Sequence, residues 1–299
     1  MEKTTITAII LTFNEEQHIA RCISSLKNSV DEILVIDSYS NDKTVELAES
    51  LGAKVYQNPF VNQAIQFNWA LDNCILKSDW ILRIDADEYL DIKLNYNLRE
   101  ELKRYSIDVN GIFIKRKIIF MNQPLLHGDW YPKWNLRIFR NGFGRSEVRW
   151  MDEHIVISRG ISKQLEINFI DENLNSLTWW IEKHNKYSNR EAIDYFLQVD
   201  KNKSQTVKLN LFGNDTERKR WFKEKYNTMP LFIRPFFIFS YRYFYKLGFL
   251  DGKSGFVWHI LQGFWYRFLV DAKIFELKLK FNNDHDKIVA YIKQKFDIN

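Results

Sequence analysis

Four short apolar runs within the first 90 residues constrain the fold most, because helical patterns alternate with them. Residues 6–11, 32–37 and 80–84 are predicted to form buried strands, and Val55 lies in another, shorter strand. The helices predicted between them cover residues 15–27, 41–51 and 63–76. Strands that alternate with helices of this length predict βαβ units with right-handed crossovers, hence an α/β fold built on a mainly parallel sheet.

The pattern becomes less regular after residue 88. A surface helix is predicted over residues 94–105, a β-rich stretch over 111–121 and a further strand over 134–139. From about residue 170 the sequence becomes helical and aromatic. We therefore expect a catalytic domain over residues 1–170 and a helical C-terminal region over residues 171–299.

Composition points to an anionic partner. The chain has 299 residues, and its 45% of hydrophobic residues suffice for a substantial core. Its formal net charge is only +5, but residues 201–280 hold 16 lysines and arginines against 6 acids, and the remainder is acidic. A basic, aromatic part joined to an acidic part suggests that the protein contacts phosphate-rich lipid or nucleic acid.

Cysteine usage and the N-terminus suggest a cytoplasmic location. Cys22 and Cys74 lie in apolar helical patterns without metal-ligand spacing, which predicts buried, reduced thiols. Residues 1–5 lead directly into a strand, so a signal peptide is not expected. Apolar stretches of the roughly 18–20 residues needed to span a bilayer are also absent from the sequence.

Polar residues follow three of the four predicted strands. These clusters are Thr12–Glu16, Asp37–Thr44 and Asp85–Glu88. The carboxyl ends of parallel strands share one edge of a sheet, which is where open α/β sheets bind ligands. Each cluster also has a structural explanation: Asn14 and Asn41 are good helix caps, and the last cluster could be a solvated turn. A ligand site explains all three together.

The pair Asp85 and Asp87 predicts a metal site. Side chains at i and i+2 of a strand share a face, and two neighbouring carboxylates repel unless a cation lies between them. One or two carboxylates, completed by substrate phosphates, are typical of Mg²⁺ or Mn²⁺. The first strand is followed by neither a P-loop nor a Gly-x-Gly-x-x-Gly sequence. A bound metal would then have to hold a nucleotide's phosphates.

These motifs resemble those of the family 2 glycosyltransferases of the GT-A fold. The segments that carry the resemblance are Thr12-Phe13-Asn14-Glu15-Glu16, Asp37 with Asp42-Lys43-Thr44, and Asp85-Ala86-Asp87-Glu88. The resemblance covers residues 4–160. More narrowly, the chain is similar to the bacterial lipopolysaccharide-core and polysaccharide glucosyltransferases. It implies transfer of a hexose, with glucose the first candidate, from a UDP-sugar to a glycolipid or saccharide.

The resemblance also implies roles for individual residues. Phe13, Asn14 and Glu15 would line the nucleotide pocket, with Glu15 near the ribose or the base. Asp37 would accept a hydrogen bond from the uracil ring. Asp85 would contact the ribose or a metal-bound water. Asp87 is the first implied ligand of Mn²⁺ or Mg²⁺, and Asp85 is the second. Arg83, just before the pair, is expected to face solvent or a partner acid.

Inverting members of the family need a carboxylate base, and the candidates lie in Met151-Asp152-Glu153-His154. Glu153 matches the family's acidic position best and Asp152 is second, although the order of the two acids departs from the commonest one. A polar turn between strands is the structural alternative. His154 is more simply explained as a hydrogen-bonded side chain than as a metal ligand.

Two aromatic regions remain open. Residues 130–134, with Arg137 and Arg140, could stack a sugar or form core, and Trp179-Trp180 and His184 favour core or lid packing. Residues 229–275 combine aromatic and basic side chains, which is typical of helices that lie in a membrane interface. An ordinary helical core with a basic outer face is the alternative. We expect a peripheral protein on the inner face of the cytoplasmic membrane, with an anionic membrane surface and not nucleic acid as its partner.

Two other functions are compatible with parts of the sequence. A nucleotidyltransferase would share the nucleotide, the metal and the acid pair, but usually has a Gly-rich basic loop near the N-terminus, where this chain has Asn14-Glu15-Glu16. A non-catalytic module that binds membrane or nucleic acid would explain the tail and leave the acidic strand ends unexplained.

Overall fold

The computed structural model folds into two compact units, Met1–Asn175 and Ser176–Asn299. The residues that it describes are 4–91, 96–147, 154–201, 226 and 228–296, with side chains omitted at 198–201 and 296.

The first unit is an α/β structure. Its strands are β1 (Ile6–Thr12), β2 (Glu32–Asp37), β3 (Lys54–Gln57), β4 (Trp80–Asp85), β5 (Glu88–Asp91), β6 (Val109–Phe120), β7 (Gln123–Pro124), β8 (Lys133–Arg140), β9 (Gly144–Ser146), β10 (Ile155–Ile157) and β11 (Ile161–Asp171). Its helices are α1 (Ile19–Leu26), α2 (Thr44–Ser50), α3 (Gln63–Asn73) and α4 (Leu98–Lys103).

The main sheet has the strand order β3-β2-β1-β4-β8-β6-β11-β5, with β7 beside β6 and a separate β9–β10 pair. Strands β3, β2, β1 and β4 run parallel, because each is reached through a crossover connection. β8 is antiparallel to β4 and β6, whereas β11 is parallel to β6 and antiparallel to β5. The parallel half therefore presents its strand ends at one edge.

Apolar side chains of β1 alternate between two cores, as the strand period of two requires. Ile6, Ala8 and Ile10 pack with the apolar face of α1, including Cys22. Ile9 points to the opposite face and packs with residues of α3. The parallel half is thus a three-layer α/β/α arrangement, and the positions of its strands and helices follow from this burial.

The predicted fold class is confirmed: an α/β unit with a parallel half-sheet flanked by helices precedes a helical, aromatic-rich region. Cys22 and Cys74 are buried free thiols, as predicted. The first helix begins later than expected, because residues 13–18 are occupied by turns that lead out of β1. The sequence pattern also missed β5 and β11, whose pairing joins segments that are about 80 residues apart in the chain.

The second unit is helical in its described part. It contains α5 (Leu177–Lys201), α6 (Arg234–Ser240), a π-helical turn (Tyr241–Tyr245), a 3₁₀ turn (Gly248–Asp251), α7 (Gly252–Trp258), a second π-helical segment (His259–Trp265), α8 (Tyr266–Lys280) and α9 (His285–Phe296). Over the described parts of the chain, every helix is too short or too polar to cross a bilayer.

Two buried polar groups stand out in this unit. Arg234 is 2% exposed, and its guanidinium donates to Asp271 Oδ1 from Nε (2.8 Å) and Nη2 (2.5 Å), so the buried charges compensate each other. His259 is fully buried, and neither of its ring nitrogens has a hydrogen-bond partner among the described residues. Gly248 is required beside it, because a Cβ there would clash with the imidazole.

We predict that His259 makes the protein less stable as pH falls. Burial, aided by nearby Arg242 and opposed by Asp251, lowers the pKa of His259 to about 4. The unfolded chain, with a histidine pKa near 6.5, therefore binds more protons between about pH 6.5 and 4, and the free energy of unfolding decreases as pH falls through that window. The expected loss is about 1–3 kcal/mol.

Denaturant unfolding at several pH values measures this effect. His259→Gln, which does not titrate, should lack this part of the pH dependence even if it is less stable at neutral pH. Parallel stability profiles for the two proteins between pH 6.5 and 4 would contradict the prediction.

Candidate active site

The carboxyl edge of the parallel strands brings Asp37 and Asp85 to the same end of the sheet. β1 lies between β2 and β4, and its residues Thr12 and Leu11 pair with Asp37 and Asp85, respectively. Two interstrand spacings of about 4.8 Å therefore separate the Cα atoms of the two acids by about 10 Å. The predicted strand ends do meet at one edge.

Asp37 is fully buried and supports the loop that follows it. Its Oδ1 accepts hydrogen bonds from the Thr12 hydroxyl (3.0 Å) and the Ser40 hydroxyl (2.5 Å), and its Oδ2 accepts from the Ser40 amide (2.8 Å). Three donors thus satisfy most of the carboxylate's capacity. In this arrangement Asp37 shapes the edge without being exposed at it.

Further polar residues fasten the loop after β1 to the loop after β2. The Asn14 amide donates to the Ser40 hydroxyl (2.8 Å), and Asn14 Oδ1 accepts from the Asn41 amide (3.0 Å). The Glu16 amide donates to an oxygen of Asp42 (3.2 Å). Neither Asn14 nor Asn41 caps a helix, since α1 and α2 begin several residues later, at Ile19 and Thr44.

Two aromatic side chains are exposed on these joined loops. Phe13 is 57% exposed and Tyr39 is 54% exposed. They follow Thr12 and Ser38, which are themselves linked by a hydrogen bond from the Ser38 amide to the Thr12 carbonyl (2.9 Å). Tyr39 has φ +61°, a left-handed conformation that is costly for a bulky residue. The Asp37 network holds an exposed ring in a strained position, which favours a role for that ring.

Glu15 is bound on its inner side by a histidine. His18 is 1% exposed; its Nδ1 lies 2.6 Å from Glu15 Oε2, and its Nε2 accepts a hydrogen bond from the Leu174 amide (2.8 Å). Because Nε2 is an acceptor, the proton of the neutral ring is on Nδ1 and is donated to Glu15. The sequence did not indicate this contact, since Leu174 is more than 150 residues from His18.

Asp85 lies between two arginines. Arg83 Nε is 3.7 Å from Asp85 Oδ1, and Arg137 Nη2 is 3.8 Å from Asp85 Oδ2. Arg83 is 5% exposed, and its guanidinium lies over the Phe67 ring. Of the two environments predicted for Arg83, solvent and a partner acid, the structure shows the acid, Asp85. Of its five N–H donors, Nη2 makes a long hydrogen bond to Gln63 (3.4 Å), and Nε has no hydrogen-bond partner among the described residues.

Glu88, to which the sequence assigned no role, is the buried centre of this charge cluster. It is 3% exposed, and it accepts hydrogen bonds from Arg137 Nη2 (2.6 Å) and from the Asp85 amide (2.9 Å). Burial raises the pKa of Glu88 above its ordinary value; Arg137 opposes the rise, while Asp85, Asp171 and Asp87 add to it. Those three acids therefore lie near Glu88, and their charges reinforce one another.

Asp87 lies in the turn between β4 and β5, not in the strand as the i, i+2 pattern assumed. Its Oδ2 accepts a hydrogen bond from Asn173 Nδ2 (3.0 Å), and its backbone carbonyl accepts from Arg21 Nη2 (3.3 Å). Arg21 also pairs with Glu172 (2.5 Å). The segment after β11 is thus part of the edge, which only the pairing of β11 with β5 could reveal.

Asp152 and Glu153 lie outside the described residues, and the neighbouring His154 is exposed. Arg140 lies over Trp80 at the opposite end of β4 and donates to the backbone carbonyl of Val109 (3.0 Å), so its contacts are structural.

A divalent cation is compatible with Asp85 and Asp87 in chemical terms. Both supply hard carboxylate oxygens at a partly exposed position, the kind of donor that Mg²⁺ and Mn²⁺ prefer. Within the described ranges, however, no three carboxylate, histidine or cysteine side chains are placed to hold a metal. A cation there would need further ligands, and phosphate oxygens of a substrate are suitable ones.

The first unit is an α/β unit whose parallel strands end together at a polar edge, the position at which open α/β sheets bind ligands. Residues 7–161 match Glycosyl transferase family 2. The chain belongs to this family, and the protein is a glycosyltransferase.

Full-length relatives support the same assignment. The chain is 31% identical over 293 residues to an uncharacterized glycosyltransferase of Rickettsia felis, which covers 95% of this chain and 93% of the relative. It is 28% identical over 280 residues to the lipopolysaccharide core biosynthesis glycosyltransferase LpsC of Rhizobium meliloti. This match covers 92% of this chain and 93% of the relative.

A solved structure with a partial match is glucosyl-3-phosphoglycerate synthase from Mycobacterium tuberculosis, in complex with Mn²⁺, UDP and glucosyl-3-phosphoglycerate. The match is 23% identical and covers 39% of this chain and 44% of that chain, with a TM-score of 0.30. A likeness this low supports no conclusion about the ligands of this protein.

We predict that Asn173 positions Asp87. Asn173→Ala removes the amide that donates to Asp87, and the expected cost is about 1–1.5 kcal/mol, or a five- to tenfold loss of kcat/KM for sugar transfer. Asn175→Ala is the matched control, because it removes an amide of the same size from the same segment. Equal activity losses in the two variants would contradict a specific role for Asn173.

Proposed function

We propose that the protein is a metal-dependent, inverting hexosyltransferase that uses a UDP-sugar, with glucose the first candidate, and a lipopolysaccharide-core or other glycolipid or polysaccharide acceptor. The observation that carries the proposal is the charge cluster at the carboxyl edge, where Asp85, Asp87, Arg83 and Arg137 meet. Family membership and the name of the Rhizobium relative support the reaction class and the acceptor class.

The nucleotide is assigned to the joined loops after β1 and β2. Phe13 and Tyr39 offer exposed rings on which a base can stack. Glu15 is 21% exposed in its side chain and is oriented by His18, which suits a hydrogen bond to a ribose hydroxyl or the base. Asp37 contributes by holding Ser40 and the Tyr39 backbone, because its buried oxygens already accept three hydrogen bonds.

The diphosphate is assigned to the Asp85 edge. Asp85 and Asp87 would hold Mn²⁺ or Mg²⁺, which supplies positive charge to the leaving diphosphate when it is bound. Arg83 Nε lies 3.7 Å from Asp85 Oδ1, so its guanidinium adds positive charge beside the proposed diphosphate position. Arg137 forms an ion pair with Glu88 and adds a positive charge to the acidic cluster.

The transfer step requires a base for the acceptor hydroxyl. Glu153 is the first candidate and Asp152 the second, both assigned from the family resemblance. The carboxylate takes the hydroxyl proton as the acceptor oxygen bonds to the anomeric carbon, and the bond from that carbon to the diphosphate oxygen breaks, which releases UDP. A positioned base of this kind typically contributes about 10²–10⁴-fold.

A glycolipid acceptor would place the enzyme at a membrane. We therefore include peripheral association with the inner face of the cytoplasmic membrane in the proposal.

We predict that Asp87→Asn abolishes sugar transfer, with a loss of at least about 10²-fold in turnover, because a neutral amide is a poor ligand for a hard divalent cation. The measurement is nucleotide release from a panel of UDP-hexoses, with Mn²⁺ or after chelation. Release of UDP indicates sugar transfer or donor hydrolysis, whereas pyrophosphate would indicate nucleotidyl transfer.

Asp91→Asn is the control for this experiment, because Asp91 is an exposed acid at the end of β5 that pairs with Lys117. Full activity of Asp87→Asn in the presence of a chelator would overturn the metal assignment.

We predict that Tyr39→Gly weakens UDP binding without destabilising the fold. Glycine adopts φ +61° without strain, so the melting temperature should be unchanged or higher, while loss of ring stacking should cost about 1–3 kcal/mol of UDP affinity. Calorimetric titration with UDP measures this cost. Tyr39→Phe, which keeps the ring, should bind normally; normal binding by Tyr39→Gly would exclude Tyr39 from the nucleotide site.

A further inference from the structure

The second unit exposes a dense group of large apolar side chains. Ten of them fall within the 24 residues from Ile233 to Phe256, and each is at least 45% exposed: Ile233, Phe236, Phe237, Tyr241, Phe244, Tyr245, Leu247, Phe249, Leu250 and Phe256. Single exposed apolar residues are ordinary, but concentrated ones mark interaction sites. We call residues 233–256 the aromatic segment.

Ring contacts join the parts of the aromatic segment into one surface. Tyr243 contacts Phe244 (5.2 Å), Phe249 (6.2 Å) and Phe256 (5.7 Å) between ring centroids, and so links the π-helical turn to the 3₁₀ turn and to α7. Within the π-helical turn, Tyr241 stacks on Tyr245 (5.5 Å). The exposed rings are therefore neighbours held in fixed positions by partly buried ones.

The charge of this surface has one sign. Lys246 and Lys253 are exposed, and the Lys246 ammonium lies 5.6 Å from the Tyr241 ring centroid and 5.8 Å from that of Tyr245. Asp251 is the only acid in the aromatic segment, and it is 3% exposed. An incoming partner therefore meets aromatic rings and lysines, with no exposed carboxylate from the segment.

Helix lengths determine how such a surface can meet a bilayer. α6 and α7 have seven residues each, and a five-residue π-helical turn and a four-residue 3₁₀ turn lie between them. About 20 residues of continuous, mainly apolar helix are needed to cross the hydrocarbon layer, and no helix among the described residues is both long and apolar enough, so the aromatic segment is suited to lying in the interface. Aromatic rings at the headgroup level and lysines beside phosphates are typical of this mode of binding.

We propose that the aromatic segment docks the protein on an anionic lipid bilayer, with Phe244 and Tyr245 inserted at the headgroup level and Lys246 and Lys253 against lipid phosphates. A second copy of the chain fits less well, because two identical surfaces would bring lysines together with no exposed acid to pair with them. The proposal deepens the acceptor part of the proposed function, which places a glycolipid in the same membrane, but it rests on exposure and charge in the second unit alone.

Vesicle flotation of the full-length protein tests the proposal. We expect binding to vesicles that contain phosphatidylglycerol, weaker binding to pure phosphatidylcholine, and loss of the difference at high salt. Phe244→Ser with Tyr245→Ser should weaken binding at least about tenfold. Lys246→Glu with Lys253→Glu should remove the preference for anionic vesicles, since each lysine contributes about fivefold.

The matched control is Ile75→Ser with Ile107→Ser, which removes two apolar side chains from the first unit that are 73% and 77% exposed. This variant should float like the unchanged protein. Equal binding by all variants, or no binding to anionic vesicles by the unchanged protein, would overturn the proposal. Light scattering could instead show a concentration-dependent dimer that the Phe244→Ser, Tyr245→Ser variant does not form. That result would overturn the proposal and identify a second copy of the chain as the partner.

A UDP titration of each variant separates this proposal from the proposed function. All variants should keep the UDP-dependent rise in melting temperature, because none changes the first unit's carboxyl edge. Vesicle binding without any response to UDP or UDP-sugars would leave the docking surface supported and the donor assignment wrong. A response to UDP without vesicle binding would leave the donor assignment supported and the docking surface wrong.

Discussion

Compensation of buried charge around Glu88 is the interaction on which the catalytic edge depends. A carboxylate that is 3% exposed loses its hydration, and Arg137 and the Asp85 amide replace that hydration with hydrogen bonds. The same Arg137 reaches toward Asp85, and Arg83 approaches Asp85 from its other oxygen. Asp85 therefore lies between positive charges on both sides.

A second set of polar contacts links the two loops at the neighbouring half of the edge. Asp37 is fully buried, and it holds the loop on which Tyr39 adopts a strained backbone conformation. Asn14 ties the loop after β1 to the same loop. Several polar residues that could each have contacted a ligand are instead used to position the exposed rings and acids that remain. Such preorganisation reduces the cost of ordering the site when a substrate binds.

The two units use polar and aromatic residues for different ends. In the first unit, the charges are of both signs and are gathered at a strand edge, which suits recognition of a charged small molecule. In the second unit, buried Arg234 is neutralised by Asp271, and the exposed aromatic segment keeps only its lysines and rings. A donor site on one unit and a lipid-docking surface on the other would allow a soluble sugar nucleotide to be used at a membrane-bound acceptor.

The sequence by itself determined the α/β class, the parallel order implied by βαβ units, and the strand ends at which Asp37 and Asp85 emerge, because burial periodicity and strand direction are local properties. Only the tertiary structure decided which polar residues face a ligand and which support others. Glu88, Arg137, His18 and Asn173 reach the edge through partners up to about 150 residues away. Such contacts depend on the pairing of β11 with β5 and on desolvation, and neither leaves a local pattern in the chain.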